Sequence, residues 1–179
     1  MIRDTWFGYI KDEIKSLEEL MWVNLEVVER IVDLISACEG KVVFCGLGKT
    51  GMIARRLAGT FSSMGTPSTF IHCSEAVHGD LGFLQKKDVV ILLSKTCSAP
   101  EHEQVMDFCG RKDIPLVLIS STSQPSRLGC INLMVSFQDD TPAPLNSLTQ
   151  ASVLGNVLAR LVALKKDWDS SKWKETHPG

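Results

Sequence analysis

After Gly40 the chain repeats short, unbroken apolar runs: KVVFCG at 41–46, STFIH at 68–72, DVVILLS at 88–94, PLVLIS at 115–120 and LMVSF at 133–137. Runs apolar at consecutive positions, rather than at alternate ones, suit strands covered on both faces, as in the middle of a parallel sheet. Stretches with helical spacing separate most of them. Residues 51–64 place Ile53, Leu57 and Phe61 on one face, and 100–110 do the same with Val105, Met106 and Cys109. Only a short helix fits around 124–129, and a longer one over 147–165 carries Val153, Leu154, Val157, Leu158, Leu161 and Leu164 at helical period. Ahead of the first run, Ile10, Ile14, Leu17, Met21, Leu25, Val28 and Val32 recur three or four apart over about 9–37, which predicts an amphipathic helix or helix pair. This β-α alternation predicts an α/β class, doubly wound fold: a five-stranded parallel sheet in flavodoxin-like order, flanked by helices.

In that order a ligand site lies at the carboxyl edge of the sheet, between the first and third strands. The loops leaving those strands are GLGKTG (46–51) and SKTCSAPE (94–101). At 179 residues the chain suits a single domain, with a helical segment at 1–38, an α/β core at 39–166 and a tail at 167–179. A net charge of -2 offers no electrostatic footprint for nucleic acid or an anionic membrane surface, so neither is expected as a partner. The six cysteines (38, 45, 73, 97, 109 and 130) contain no C-x-x-C pair and read as reduced, buried small residues. His72, Cys73 and His78 lie near enough for adventitious metal binding, but no spacing argues for a required ion. The N-terminus is broken by charges every few positions, unlike a signal or a membrane span, and the expected location is cytoplasmic.

The first loop matches two phosphate-binding patterns at once. A nucleotide-triphosphate loop needs G-x-x-x-x-G-K-[ST], but the position of its first glycine is Val43, inside the strand. The dinucleotide pattern G-x-G-x-x-G is met by Gly46, Gly48 and Gly51, with Glu75 after the second strand, yet Lys49 sits within the turn. Any strand-to-helix turn with close packing also favours such glycines. A third reading is a sugar phosphate. Ser94, Thr96 and Ser98 present hydroxyls ahead of a helix start whose free N–H groups suit a phosphomonoester. Against it stands a plain capping box, S-x-x-E from Ser98 to Glu101, with Pro100 in the first turn.

The run GLGKTGMIARRLAGTFSSMGTPSTFIHCSEAVHGDLG (46–82) resembles the sugar isomerase (SIS) domain, and within it the D-arabinose 5-phosphate isomerases, through the G-x-G-K-[ST]-G turn, G-T-P and E-A-x-H-G-D-L-G. The resemblance extends over nearly the whole chain and implies an aldose–ketose isomerase of SIS architecture that works without a redox cofactor, acting on a small phosphosugar in a homotetramer whose sites are shared between subunits. By that resemblance Lys49, His78, Glu101 and His177 match active-site positions, and Asp139 stands for the acid of an E-A-C-P segment that reads Asp139-Asp140-Thr141-Pro142 here. The same reading assigns substrate binding to Gly46, Gly48, Thr50, Ser94, Thr96 and Ser98. Chemistry makes Glu101 the enediol base, Lys49 the oxyanion stabiliser and the histidines agents of ring opening or proton shuttling. The chain departs from the pattern at Cys97, where glycine is usual, and at Ala99, where a hydroxyl is usual. It stops at Gly179, where longer relatives of this type continue into a pair of cystathionine-β-synthase domains, so it reads as a short form or as a chain cut at that boundary. The alternatives are another specificity, such as a 3-hexulose 6-phosphate isomerase, and a non-catalytic phosphosugar sensor.

Overall fold

The computed structural model describes residues 2–122, 130–137, 139 and 143–177. Five parallel strands form one sheet in the order β2-β1-β3-β4-β5, with β1 at Val42–Gly46, β2 at Ser68–His72, β3 at Val89–Leu93, β4 at Leu116–Ser120 and β5 at Cys130–Met134. The order and the central position of β1, β3 and β4 are those expected from the apolar runs; all three are buried at every residue. The helices are α1 (Ile2–Glu18), α2 (Leu25–Ser36), α3 (Gly48–Ser63), α4 (Cys73–Ala76), α5 (Pro100–Lys112), α6 (Asn146–Lys165) and α7 (Trp173–Thr176).

Successive strand residues point to opposite layers. Val42, Phe44, Ile91 and Ile119 join a core with α2, α3 and α6. Val43, Cys45, Val90, Leu92 and Leu118 join a second core with α4 and α5. Helix α6 is long and apolar enough to cross a membrane by length and composition, but half of that window is buried. Close packing explains it: a Cβ on Gly155 would come within 2.3 Å of Leu57 Cδ2 on α3.

Three expectations need correction. The last strand is not 133–137: Leu116 to Ser120 pair with Cys130 to Met134. Leu133, Val135 and Phe137 are apolar because they face the α2–α6 core, while the edge position of β5 leaves Cys130, Ile131 and Asn132 half-exposed, diluting the signal there. Helix α3 begins at Gly48, so Lys49 and Thr50 belong to its first turn. The single-turn helices α4 and α7 are too short for a periodic signal and were not expected. Of the two readings of 9–37, the helix pair is the one found: α1 and α2 meet around a 3-10 turn at Glu19–Trp22, with Asn24 Oδ1 capping α2 by accepting from Val27 N at 3.2 Å. The short helix expected around 124–129 lies outside the described residues.

Candidate active site at the carboxyl edge

Strands β1 and β3 are neighbours in register, Gly46 opposite Leu93, so the loops that follow them leave the sheet side by side. At the first loop, Gly46 and Gly51 pack backbone to backbone: a Cβ on Gly51 would lie 3.0 Å from Gly46 O. Gly48 has φ 55, a left-handed conformation. Thr50 Oγ1 donates to Leu47 O at 2.8 Å, tying the turn to the helix start. Lys49 is exposed in the first turn of α3. The glycine spacing is thus a packing requirement, met with or without a dinucleotide.

The second loop is shaped by a buried hydroxyl. Ser94 accepts from Cys97 N at 3.1 Å and lies 3.4 Å from His102 Nδ1. Cys97 takes φ 53 with its side chain turned into the core, so it keeps a glycine-like backbone without lining the loop's outer side. The capping box does not form: the N-cap of α5 is Ala99, with no side-chain cap, and Ser98 Oγ bonds Thr96 Oγ1 at 2.8 Å instead. Those two hydroxyls are exposed, and within the described residues no group accepts from the backbone N–H of Ser98, Ala99 or Glu101. The loop therefore offers two hydroxyls and three free N–H groups at a helix start, the donor set a phosphomonoester needs. Glu101 is half-buried in the first turn of α5.

The remaining candidates divide. His78 follows α4 and is exposed; its N–H donates to Glu75 O at 2.9 Å, and it makes no hydrogen bond to Asp80 among the described contacts. Asp139 is fully engaged: Lys95 Nζ reaches its Oδ2 at 2.6 Å, and Ser147 donates from N at 3.0 Å and from Oγ at 2.7 Å. Burial works against its ionised form, but the Lys95 and Ser147 bonds outweigh it and hold the carboxyl below its ordinary range. The neighbours Asp140, Thr141 and Pro142 lie outside the described residues. His177 is not near the other candidates in its own chain. Its ring stacks on Trp173 at 3.5 Å, and Thr176 Oγ1 donates to Ser63 O at 2.9 Å at the far end of α3. Lys49 and Ser63 are fourteen residues apart on that helix, ~21 Å at the α-helical rise.

Lys95 and His102 carry structure that sequence reasoning missed. Lys95 is an unremarkable loop lysine until the fold brings Asp139 to it. His102 is buried because helical geometry turns it inward one residue after Glu101, and its Nε2 has no partner among the described residues. A groove of about 510 Å³ opens on the other side of the first turn, lined by Gly48, Gly51, Met52, Arg55, Phe70 and His72 among others. It borders the Lys49 turn but contains none of the hydroxyl loop, so the donor set rather than the larger concavity locates the candidate site. Among the described residues no group of three or more His, Cys, Asp or Glu side chains is arranged to hold a metal ion.

The SIS domain family model matches residues 35–161. Arabinose 5-phosphate isomerase KdsD of Shigella flexneri is 36% identical over 148 residues, covering 79% of this chain and 45% of that protein. The protein of the same name from Pseudomonas aeruginosa is 33% identical over 187 residues, covering 94% of this chain and 57% of that one. The chain therefore spans about half the length of the curated relatives it matches. A solved structure of an Escherichia coli CFT073 protein in complex with arabinose 5-phosphate superposes with a TM-score of 0.89 at 32% identity, over 99% of this chain and 97% of that one.

Proposed function

The chain belongs to the SIS domain family, and from that premise we propose that it is an aldose–ketose isomerase interconverting D-arabinose 5-phosphate and D-ribulose 5-phosphate through an enediol. One observation carries the reading: the Thr96–Ser98 hydroxyl pair and the free N–H groups at the start of α5 stand beside the Lys49 turn on adjacent strands. The E. coli CFT073 protein solved with arabinose 5-phosphate, alike over nearly all of both chains, supports that sugar as the substrate.

In this proposal the phosphate lies on the Thr96–Ser98 loop, with Ser94 shaping the loop from below. Glu101 moves the proton between C1 and C2. Lys49 donates to the oxygen that gathers negative charge as the enediol forms, a contribution worth about 10²–10³ in rate for a well-aimed donor. His78 assists ring opening. Gly46, Gly48 and Thr50 fix the direction in which Lys49 leaves the turn. Asp139 acts through Lys95, as a positioning residue that ties the hydroxyl loop to the start of α6. His177, held at the far end of its own α3, serves the site of another copy, which supports a homotetramer with shared sites. The exposed apolar side chains of α1 and the turn after it, among them Trp6, Tyr9, Met21 and Trp22, support assembly as well. No cofactor or metal enters the proposed reaction. The six free cysteines support a reducing, cytoplasmic location.

The test is to supply ribulose 5-phosphate and follow arabinose 5-phosphate. Wild-type protein converts it, and Glu101→Gln lowers kcat by about 10²–10⁴, the usual worth of a general base. Unchanged turnover in that variant removes Glu101 as base. Faster turnover of a different phosphosugar in a substrate panel replaces the assigned sugar.

A further inference from the structure

Two thiols meet beneath the candidate site. Cys45 is the penultimate residue of β1, and Cys73 opens α4 directly after β2, whose His72 pairs with Gly46. Both are completely buried, and their sulfurs are 3.1 Å apart. A disulfide requires about 2.05 Å, so the two segments need to close by only ~1 Å to be bridged. From sequence alone nothing joins them, since twenty-seven residues intervene; parallel pairing of β1 and β2 does.

We infer that Cys45 and Cys73 are a reversible redox pair, oxidised by hydroperoxide to an intramolecular disulfide that bridges the two segments leading to Lys49 and His78. Three features favour this pair over the other cysteines. The contact between the sulfurs lets one thiol donate to the other, and that bond lowers the Cys73 thiol below its ordinary range while raising that of Cys45. His102, beside Cys73 with Nε2 buried and unpartnered, adds to the stabilisation of the thiolate. Cys73 opens α4, a single four-residue turn, and an element this short is the kind that opens locally at least cost, the route by which a molecule scarcely larger than water would reach the sulfur.

The step balances with peroxide as the oxidant. The Cys73 thiolate attacks one peroxide oxygen, the O–O bond breaks, and the departing hydroxide takes a proton from solvent, leaving a sulfenic acid and water. The Cys45 sulfur then attacks the sulfenic sulfur, the S–O bond breaks, and the hydroxide released leaves as water with the Cys45 proton. Two thiols are oxidised by two electrons and one peroxide is reduced to two waters. The bridge shifts the strand end before Gly46 and the helix start before His78 by ~1 Å, a displacement that can cost up to ~100-fold in turnover when it misplaces reacting groups.

The experiment treats native protein with stoichiometric hydrogen peroxide, then denatures it, alkylates the remaining thiols and maps the peptides by mass. The expected result is the loss of two of the six free thiols, a Cys45–Cys73 linked peptide, and full reversal by dithiothreitol. Isomerase turnover falls by at least about tenfold with bridge formation and returns on reduction; Cys73→Ser and, separately, Cys45→Ala keep their turnover through the same treatment. The proposal is overturned by peroxide treatment that consumes no thiol pair, by a bridge that involves Cys97 or another cysteine, or by Cys73 ending as sulfinic acid without a bridge. The turnover readout rests on the isomerase reading, whereas the peptide map does not, so a protein inactive in both states is still decided by the linked peptide.

Discussion

At the scale of single residues, the loop glycines and Cys97 show how backbone requirements resemble ligand motifs. Gly51 has no room for a methyl group against Gly46, whereas Gly59, on the exposed side of the same helix, has nothing within 4 Å of an added Cβ. Gly51→Ala should therefore destabilise the protein by about 1–3 kcal/mol, as overpacking does, while Gly59→Ala should stabilise it by about 0.5–1 kcal/mol through helix propensity. Urea unfolding of the two variants checks the pair. Cys97 bears φ 53 with a buried side chain; a β-branched side chain there adds χ1 crowding to a conformation already unfavourable for any Cβ. Cys97→Val should cost at least about 2 kcal/mol, while Cys97→Gly should stay within about 1 kcal/mol of wild type, relief of strain offsetting lost burial; thermal unfolding separates them. Residue types at the site were legible in the sequence, but directions were not. Ser94 and Thr50 were expected to contact substrate; in the folded loops Ser94 Oγ accepts from Cys97 N and Thr50 Oγ1 donates to Leu47 O. Sequence supplies a hydroxyl and its place in a loop; which backbone group satisfies it is decided only when the loop is folded.

At the scale of elements, the central strands were legible because burial on both faces leaves an unmixed apolar run, and the one displaced strand, β5, is an edge strand. The other edge strand, β2, is also half-exposed at most positions and was still read in place, so edge exposure weakens the signal without erasing it. What the runs could not show is how loops are fastened to one another across the sheet ends. At the carboxyl edge, Asp139 receives Lys95 and Ser147. At the amino edge, Asp88 accepts from Lys41 N at 2.9 Å, Lys41 Nζ at 2.7 Å and Gln85 N at 2.8 Å, pinning the starts of β1 and β3 together. Burial opposes ionisation of Asp88, and the Lys41 and Gln85 bonds overcome it, so its carboxyl lies below the ordinary range, as does that of Asp139. A carboxyl depressed by folding contributes stability that is complete above its unfolded value of about 3.9 and is lost as pH falls through the folded value. The unfolding free energy should thus be flat with respect to these groups near neutrality and decline below about pH 4. Asp88→Asn should cost about 1.5–3 kcal/mol at pH 7, the worth of hydrogen bonds to a charged group, and should flatten the acid limb. Denaturant melts from pH 3 to pH 7 measure both; an acid limb of unchanged slope in Asp88→Asn would assign it to other carboxyls.

At the scale of the whole molecule, the five-stranded sheet and its flanking helices leave a first helix with much of its apolar surface exposed. The amphipathic period of the first helix was legible in the sequence. That much of the apolar surface of α1 would remain uncovered, with Trp6 63% and Ile10 44% exposed, was not, because periodicity gives the face and not its partner. The double variant Trp6→Glu, Ile10→Glu should sediment as a smaller species than wild type if α1 forms part of the assembly. His177 lies far along α3 from Lys49, so Lys49→Ala and His177→Ala, each impaired alone, should recover activity when co-expressed in mixed assemblies, where one copy supplies the lysine and another the histidine. No recovery would place His177 outside the reaction.

The enediol itself is open to one direct measurement. Protein incubated with ribulose 5-phosphate in deuterium oxide should yield arabinose 5-phosphate carrying deuterium at C2, because the base exchanges its proton with solvent between abstraction and return, and Glu101→Gln should lose that incorporation together with turnover. Binding of the sugar phosphate with no deuterium entering C1 or C2 would contradict the account and leave a sugar-phosphate sensor in its place.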